Sequence, residues 1–192
     1  MIVVVPNYRL GAFGFLASQE LKDEGSLNPG LLDVIAAFEW TRKHIAAFGG
    51  DPNQITATGL SSGAVIITCL LFAQDGNMEL FDRAFLMSGA SFPIVETVKS
   101  IPYIHEDLSK RANCLLGASN LDCLRALNST ELLKFSIETD YSMNAPITAA
   151  YGPIMDGVFI TRQHFDSMER KLFRKIPLML NTNQDEGKSR FT

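Results

Sequence analysis

The sequence has 192 residues, 46% of them hydrophobic and 20% charged, an ordinary globular composition and enough for one domain or a large piece of one. A formal net charge of −4 offers no basic field for phosphate backbones or anionic lipids, which argues against nucleic acid as a partner. The longest apolar runs, residues 2–5 and 64–73, fall far short of the roughly 20 residues that span a bilayer, and no charged leader with a cleavage site accompanies the first.

Residues 2–5 are a β-branched run without alternation, which predicts a strand buried on both faces of a parallel sheet. Leu31, Val34, Ile35, Phe38 and Ile45 recur at helical spacing and predict a helix over 31–47, with Pro29 near its start and Gly49-Gly50 just past its end. Residues 54–58 predict a second strand, followed at once by Gly59 and a helix over 62–72. Residues 83–87 predict a third strand, closed by Ser88-Gly89. A more polar helical stretch runs over 95–135, and 176–180 predicts a fourth strand opening into a loop over 181–187. Strands alternating with helices predict βαβ units, a mostly parallel sheet and helices on both its faces. With no repeat, low-complexity tract or linker, the chain reads as one compact, soluble unit. Its sheet is cut off at both ends, as in a fragment.

Cys69 sits in the apolar run 65–72 and reads as a buried, inert thiol. Cys114 and Cys123 enclose a short polar segment with Gly117 to help it turn. On the residues alone a local disulfide and two free thiols both stay open, and the bridge would imply an oxidising compartment.

The sharpest chemical feature is Gly59-Leu60-Ser61-Ser62-Gly63, a G-x-S-x-G pattern lying between a predicted strand and a predicted helix. A strand turning straight into a helix lifts the Ser61 hydroxyl above the sheet, and the two glycines let strand and helix pass closely. Ser61 then stands at a helix N-terminus, where the Ser62 N–H is placed to donate to an oxyanion formed on ester attack. A serine hydroxyl needs a base, and the base a carboxylate, in the chain order serine, acid, histidine. Asp185 and Glu186 follow the last predicted strand, and each reads either as that acid or as a solvated loop charge. His44, His105 and His164 all precede them. His44 lies near a helix end, while His105 and His164 read as polar positions on partly exposed helices.

Several segments carry a resemblance: residues 7–16 (NYRLGAFGFL), 30–33 (GLLD), 45–52 (IAAFGGDP), 59–63, Ser88-Gly89, 152–157 (GPIMDG) and 183–187 (NQDEG). Together they resemble type-B carboxylesterases and lipases, the group that includes cholinesterases, bile-salt-activated lipase and fungal lipases. The resemblance implies an α/β-hydrolase fold, Ser61 as nucleophile, Glu186 rather than Asp185 as the acid, and the Ser62 N–H in the oxyanion hole. It also implies a Cys114–Cys123 disulfide and a secreted or secretory-lumen protein. Asn128-Ser129-Thr130 is an N-glycosylation sequon, with Asn128 alternatively serving only to start the next helix.

The sequence departs from the family pattern in four places. Leu60 stands where glutamate is frequent and Ser62 where alanine is usual. No histidine follows Glu186 within these residues, and the glycine-rich oxyanion segment that the family carries upstream of its first matching strand is not among them. Residues 1–192 are therefore expected to be a partial domain, lacking that N-terminal segment and the C-terminal histidine region. The complete protein is expected to hydrolyse small-molecule or lipid esters, with water as the only co-substrate and no metal, nucleotide or flavin. The alternatives are a non-catalytic adhesion or binding module on the same fold, or a truncated remnant.

Overall fold

The computed structural model describes residues 1–89, 96–115, 119–142 and 150–186. In chain order the helices are α1 (Gly11–Phe15), α2 (Gln19–Asp23), α3 (Pro29–His44), α4 (Ser62–Phe72), α5 (Pro102–Arg111), α6 (Asn120–Ala126), α7 (Ser129–Ser142) and α8 (His164–Glu169). The strands are β1 (Thr56–Leu60), β2 (Arg83–Met87) and β3 (Leu178–Asn181). These elements gather into two compact units. One comprises Met1–Asn7, Leu32–Val95 and Gly157–Thr192, the other Tyr8–Leu31 and Glu96–Asp156.

The first unit holds a parallel sheet in the order β1-β2-β3, with Leu60 opposite Met87 and Met87 opposite Asn181. Helix α4 packs on β1 and β2. It is apolar around most of its circumference, burying Ala64, Ile66, Ile67, Cys69, Leu70 and Leu71, as a helix in a core must be. The facing strand positions Ala57, Gly59 and Ala84 are small and buried, while Thr56, Thr58 and Leu60 alternate onto the exposed face. Below the sheet, Arg42 of α3 donates to the Pro52 carbonyl at 2.7 Å and pairs with Asp82 at 3.4 Å. Asp82 in turn accepts the Ile55 N–H at 2.8 Å, so one carboxylate ties helix and strand entries together.

Helix α4 and strand β2 fall on the residues expected of them; other boundaries move for visible reasons. Strand β1 starts at Thr56, not residue 54, because Asp51 captures Asn53 and Gln54 in a turn, accepting the Asn53 N–H and the Gln54 side-chain amide at 2.9 Å each. It continues to Leu60 because β2 offers ladder partners that far. Strand β3 starts at Leu178 because Pro177 has no N–H; its carbonyl only accepts, from the Ala84 N–H at 3.1 Å. Helix α3 stops at His44 and tightens into a 3-10 turn over Ile45–Phe48.

Residues 2–5 are not a strand. All four are exposed and carry no ladder bonds among the described residues, and β-branching alone does not make a strand without a pairing partner.

The second unit is helical. The polar stretch expected over 95–135 resolves into α5, α6 and α7, the last running on to Ser142. The Ala12 N–H of α1 donates to Ser136 Oγ of α7 at 3.0 Å. Buried Asn28 accepts the Ile154 N–H at 3.0 Å and donates to Asp156 at 2.7 Å. Cys114 and Cys123 form a disulfide, Cα atoms 5.5 Å apart, so the bridge that the family resemblance implied is present. Val95, Gly117 and Gly187, read as a helix start, a turn and a loop end, lie outside the described residues.

Candidate active site

Ser61 is the joint between β1 and α4. Its φ of 54° and ψ of −118° lie where side-chain-bearing residues are rare, a conformation costing about 1–3 kcal/mol that persists only when its surroundings over-determine it. Here both sides of the residue are held. The Ser61 N–H donates to the Met87 carbonyl of β2 at 2.8 Å, and the Ser61 carbonyl accepts the first bond of α4, from the Val65 N–H, at 3.1 Å.

Two glycines make room for this elbow. A Cβ on Gly59 would stand 2.5 Å from Gly63 C, 2.6 Å from Gly63 O and 2.7 Å from Ala64 N, all main-chain atoms of the first turn of α4. A Cβ on Gly89 would collide with the Ser61 carbonyl oxygen. Gly63, expected to serve close passage as well, meets nothing within 4 Å among the described residues. The second glycine that shapes the elbow is therefore Gly89, 28 residues from the serine and outside the motif.

The Ser61 side chain is exposed, as is its neighbour Leu60. Ser62 opens α4, so helix geometry leaves its N–H without an intrahelical partner and at the positive end of the helix dipole.

Glu186 lies in the turn that follows β3. Its Oε1 accepts the Asn183 N–H and the Ser88 hydroxyl, each at 2.6 Å. These two donors, the main-chain one first, hold the carboxyl below its ordinary value of 4.5, so Glu186 is ionised at neutral pH. Ser88 is itself held in the left-handed region, with φ 53°, and its N–H donates to the Asn181 carbonyl at 2.8 Å. Asp185 is exposed in the same turn.

Ser61, Ser88 and Glu186 thus stand just beyond the C-terminal ends of three consecutive parallel strands, where open α/β sheets place their chemistry. About 4.8 Å separates each strand from the next, so β1 and β3 are about 10 Å apart. The role of Ser88 was not readable from the sequence. Its position after a strand was visible, but not the carboxylate 98 residues away that it holds.

His105 and His164 are not polar surface positions. His164 is 3% exposed and stacks on Phe72 with ring centroids 4.6 Å apart. Phe72 ends α4, eleven residues on from Ser61, about 16 Å along the helix axis. His105 is 8% exposed on α5 in the second unit, and burial lowers its pKa. Both were expected on partly exposed helices; each is drawn inward by packing that periodicity alone does not reveal. His44 ends α3, its ring 5.0 Å from that of Trp40.

The family model described as the carboxylesterase family matches residues 1–191. The chain belongs to the carboxylesterase family. It is 33% identical to lipase 4 of Diutina rugosa, over 97% of this chain and 35% of that protein. To the fumonisin B1 esterase of Sphingopyxis macrogoltabida it is 35% identical, over 98% of this chain and 34% of the relative. A solved PNB esterase structure superimposes with a TM-score of 0.82 and 33% identity, covering 97% of this chain and 39% of that one. This carboxylesterase chain has the α/β-hydrolase fold, and it spans about a third of the length of these relatives.

Proposed function

We propose that a longer polypeptide containing these residues hydrolyses carboxylic esters, small-molecule or lipid, through an acyl-enzyme on Ser61. The observation that carries this reading is the strained, doubly held Ser61 at a strand–helix joint, with an ionised carboxylate two strands away. A surface serine in a glycine turn would need neither the strain nor the carboxylate.

In the proposed reaction Ser61 Oγ attacks the ester carbonyl while a histidine from outside residues 1–192 takes its proton. Glu186 accepts the imidazole N–H and stabilises the imidazolium; the gap of about 10 Å between β1 and β3 suits one ring reaching between two side chains. The Ser62 N–H donates to the tetrahedral oxyanion. The histidine returns the proton to the leaving alcohol, and a water activated the same way releases the acid and frees Ser61. No cofactor enters these steps. The disulfide in the second unit fits a secreted or secretory-lumen protein.

The binding-module reading is weaker, because such a module has no use for a strained Ser61 or for a carboxylate held by two donors. The test is turnover of p-nitrophenyl acetate by a polypeptide extended on both sides. Ser61→Ala is expected to lower kcat by a factor of about 10⁶, and the 192 residues alone to give no turnover above buffer. Equal rates for Ser61→Ala and its parent would refute the proposal.

A further inference from the structure

Asn128 lies outside the site described above, and its surroundings bear on a different chemistry. It is the only asparagine of the sequence followed by any residue but proline and then by Ser or Thr. Asn128, Ser129 and Thr130 are all exposed, at the entry to α7. The side chain is already engaged, in a way that separates its two polar atoms. Its Oδ1 accepts the Glu131 N–H at 2.9 Å, capping the helix, while Nδ2 donates to Glu131 Oε2 at 2.7 Å. The main chain joins in, the Asn128 carbonyl accepting the Leu132 N–H at 3.1 Å.

We propose that Asn128 Nδ2 carries an N-linked oligosaccharide, and that the cap survives the modification. The amide nitrogen displaces the pyrophosphate of a lipid-linked oligosaccharide at its anomeric carbon. An N–C bond forms, the C–O bond breaks, the lipid pyrophosphate leaves with the electron pair, and a transferase base takes one amide proton. The product is a secondary amide. It keeps Oδ1, the atom that caps α7, and one N–H for Glu131, so the glycan projects from an exposed helix end without dismantling it. The Cys114–Cys123 bridge, in the same unit and five residues upstream, belongs to the oxidising compartment where such donors are found. This inference does not depend on the proposed esterase chemistry.

The test is to make the protein in the secretory pathway of a eukaryotic cell and measure intact mass before and after peptide N-glycosidase. Residue 128 is then read from tryptic peptides. The expected result is a mass loss on digestion, with residue 128 converted to aspartate. Thr130→Ala and Asn128→Asp should both lack the glycan. Each retains a side-chain oxygen that accepts the Glu131 N–H, so their α-helical circular dichroism should match that of the enzymatically deglycosylated parent, and the thermal midpoint of Asn128→Asp should match it too, both then carrying aspartate at 128. Recovery of residue 128 as the free amide from secreted, disulfide-bonded protein would overturn the proposal. So would a glycan that persists in Thr130→Ala.

Discussion

Gly59 and Gly63 occupy equivalent-looking places in one motif, yet the structure separates them sharply. An alanine at 59 would put its Cβ 2.5–2.7 Å from three main-chain atoms of α4, about 1 Å inside ordinary contact. None of those atoms belongs to a side chain that could rotate away, so the helix start itself must retreat. Overpacking of this kind costs about 1–3 kcal/mol, and a rigid obstacle puts Gly59→Ala at the upper end, about 3 kcal/mol. Gly63 has open space and no left-handed φ, and it lies in the first turn of a helix. Gly63→Ala should therefore be neutral or stabilising by up to about 1 kcal/mol, through helix propensity. Urea unfolding followed by circular dichroism reads both. Gly59→Ala should lower the midpoint by about 1–2 M and Gly63→Ala should not lower it. Equal losses for the two, or an unchanged midpoint for Gly59→Ala, would refute the account of the elbow.

Ser88→Ala should raise the pKa of Glu186 toward 4.5 but not all the way, since the Asn183 N–H remains; carboxyl titration by NMR measures it. Because the folded pKa is depressed, any stability Glu186 contributes is present above about pH 4.5 and is lost as pH falls through the folded value. The Cys69 thiol, fully buried and with its pKa pushed up to about 12, should stay silent to a thiol reagent until the chain is unfolded. Replacing Cys114 and Cys123 by serine should cost about 2–3 kcal/mol, the loop-closure entropy of a nine-residue separation, read as a lower denaturation midpoint.

What could be read in advance follows how local each cause is. Helix α4 was legible because its apolar run is interrupted only by Thr68, and β2 because Arg83 and Ser88-Gly89 bracket a short hydrophobic segment. The Ser61 elbow was legible because strand, turn and helix are contiguous in sequence. Residues 2–5 misled, since β-branching reports fitness for a sheet but not whether a partner strand is there to pair. Side-chain capture by Asp51 set the start of β1, a cause outside the strand itself. The Ser88–Glu186 bond and the demand for glycine at 89 depend on strands joined only in space, and no spacing rule reaches across 98 residues. His164 illustrates the same limit: it is buried with its ring stacked on that of Phe72, 92 residues earlier.

If Ser61 is the nucleophile of an ester hydrolase, covalent capture should find it. The extended polypeptide would be treated with a fluorophosphonate, digested, and searched by mass spectrometry for the modified residue. A stoichiometric adduct is expected on Ser61, with hydrolysis of p-nitrophenyl acetate lost in step and neither seen in Ser61→Ala. Hydrolysis that continues while Ser61 stays unlabelled, or labelling of another serine with loss of activity, would contradict it.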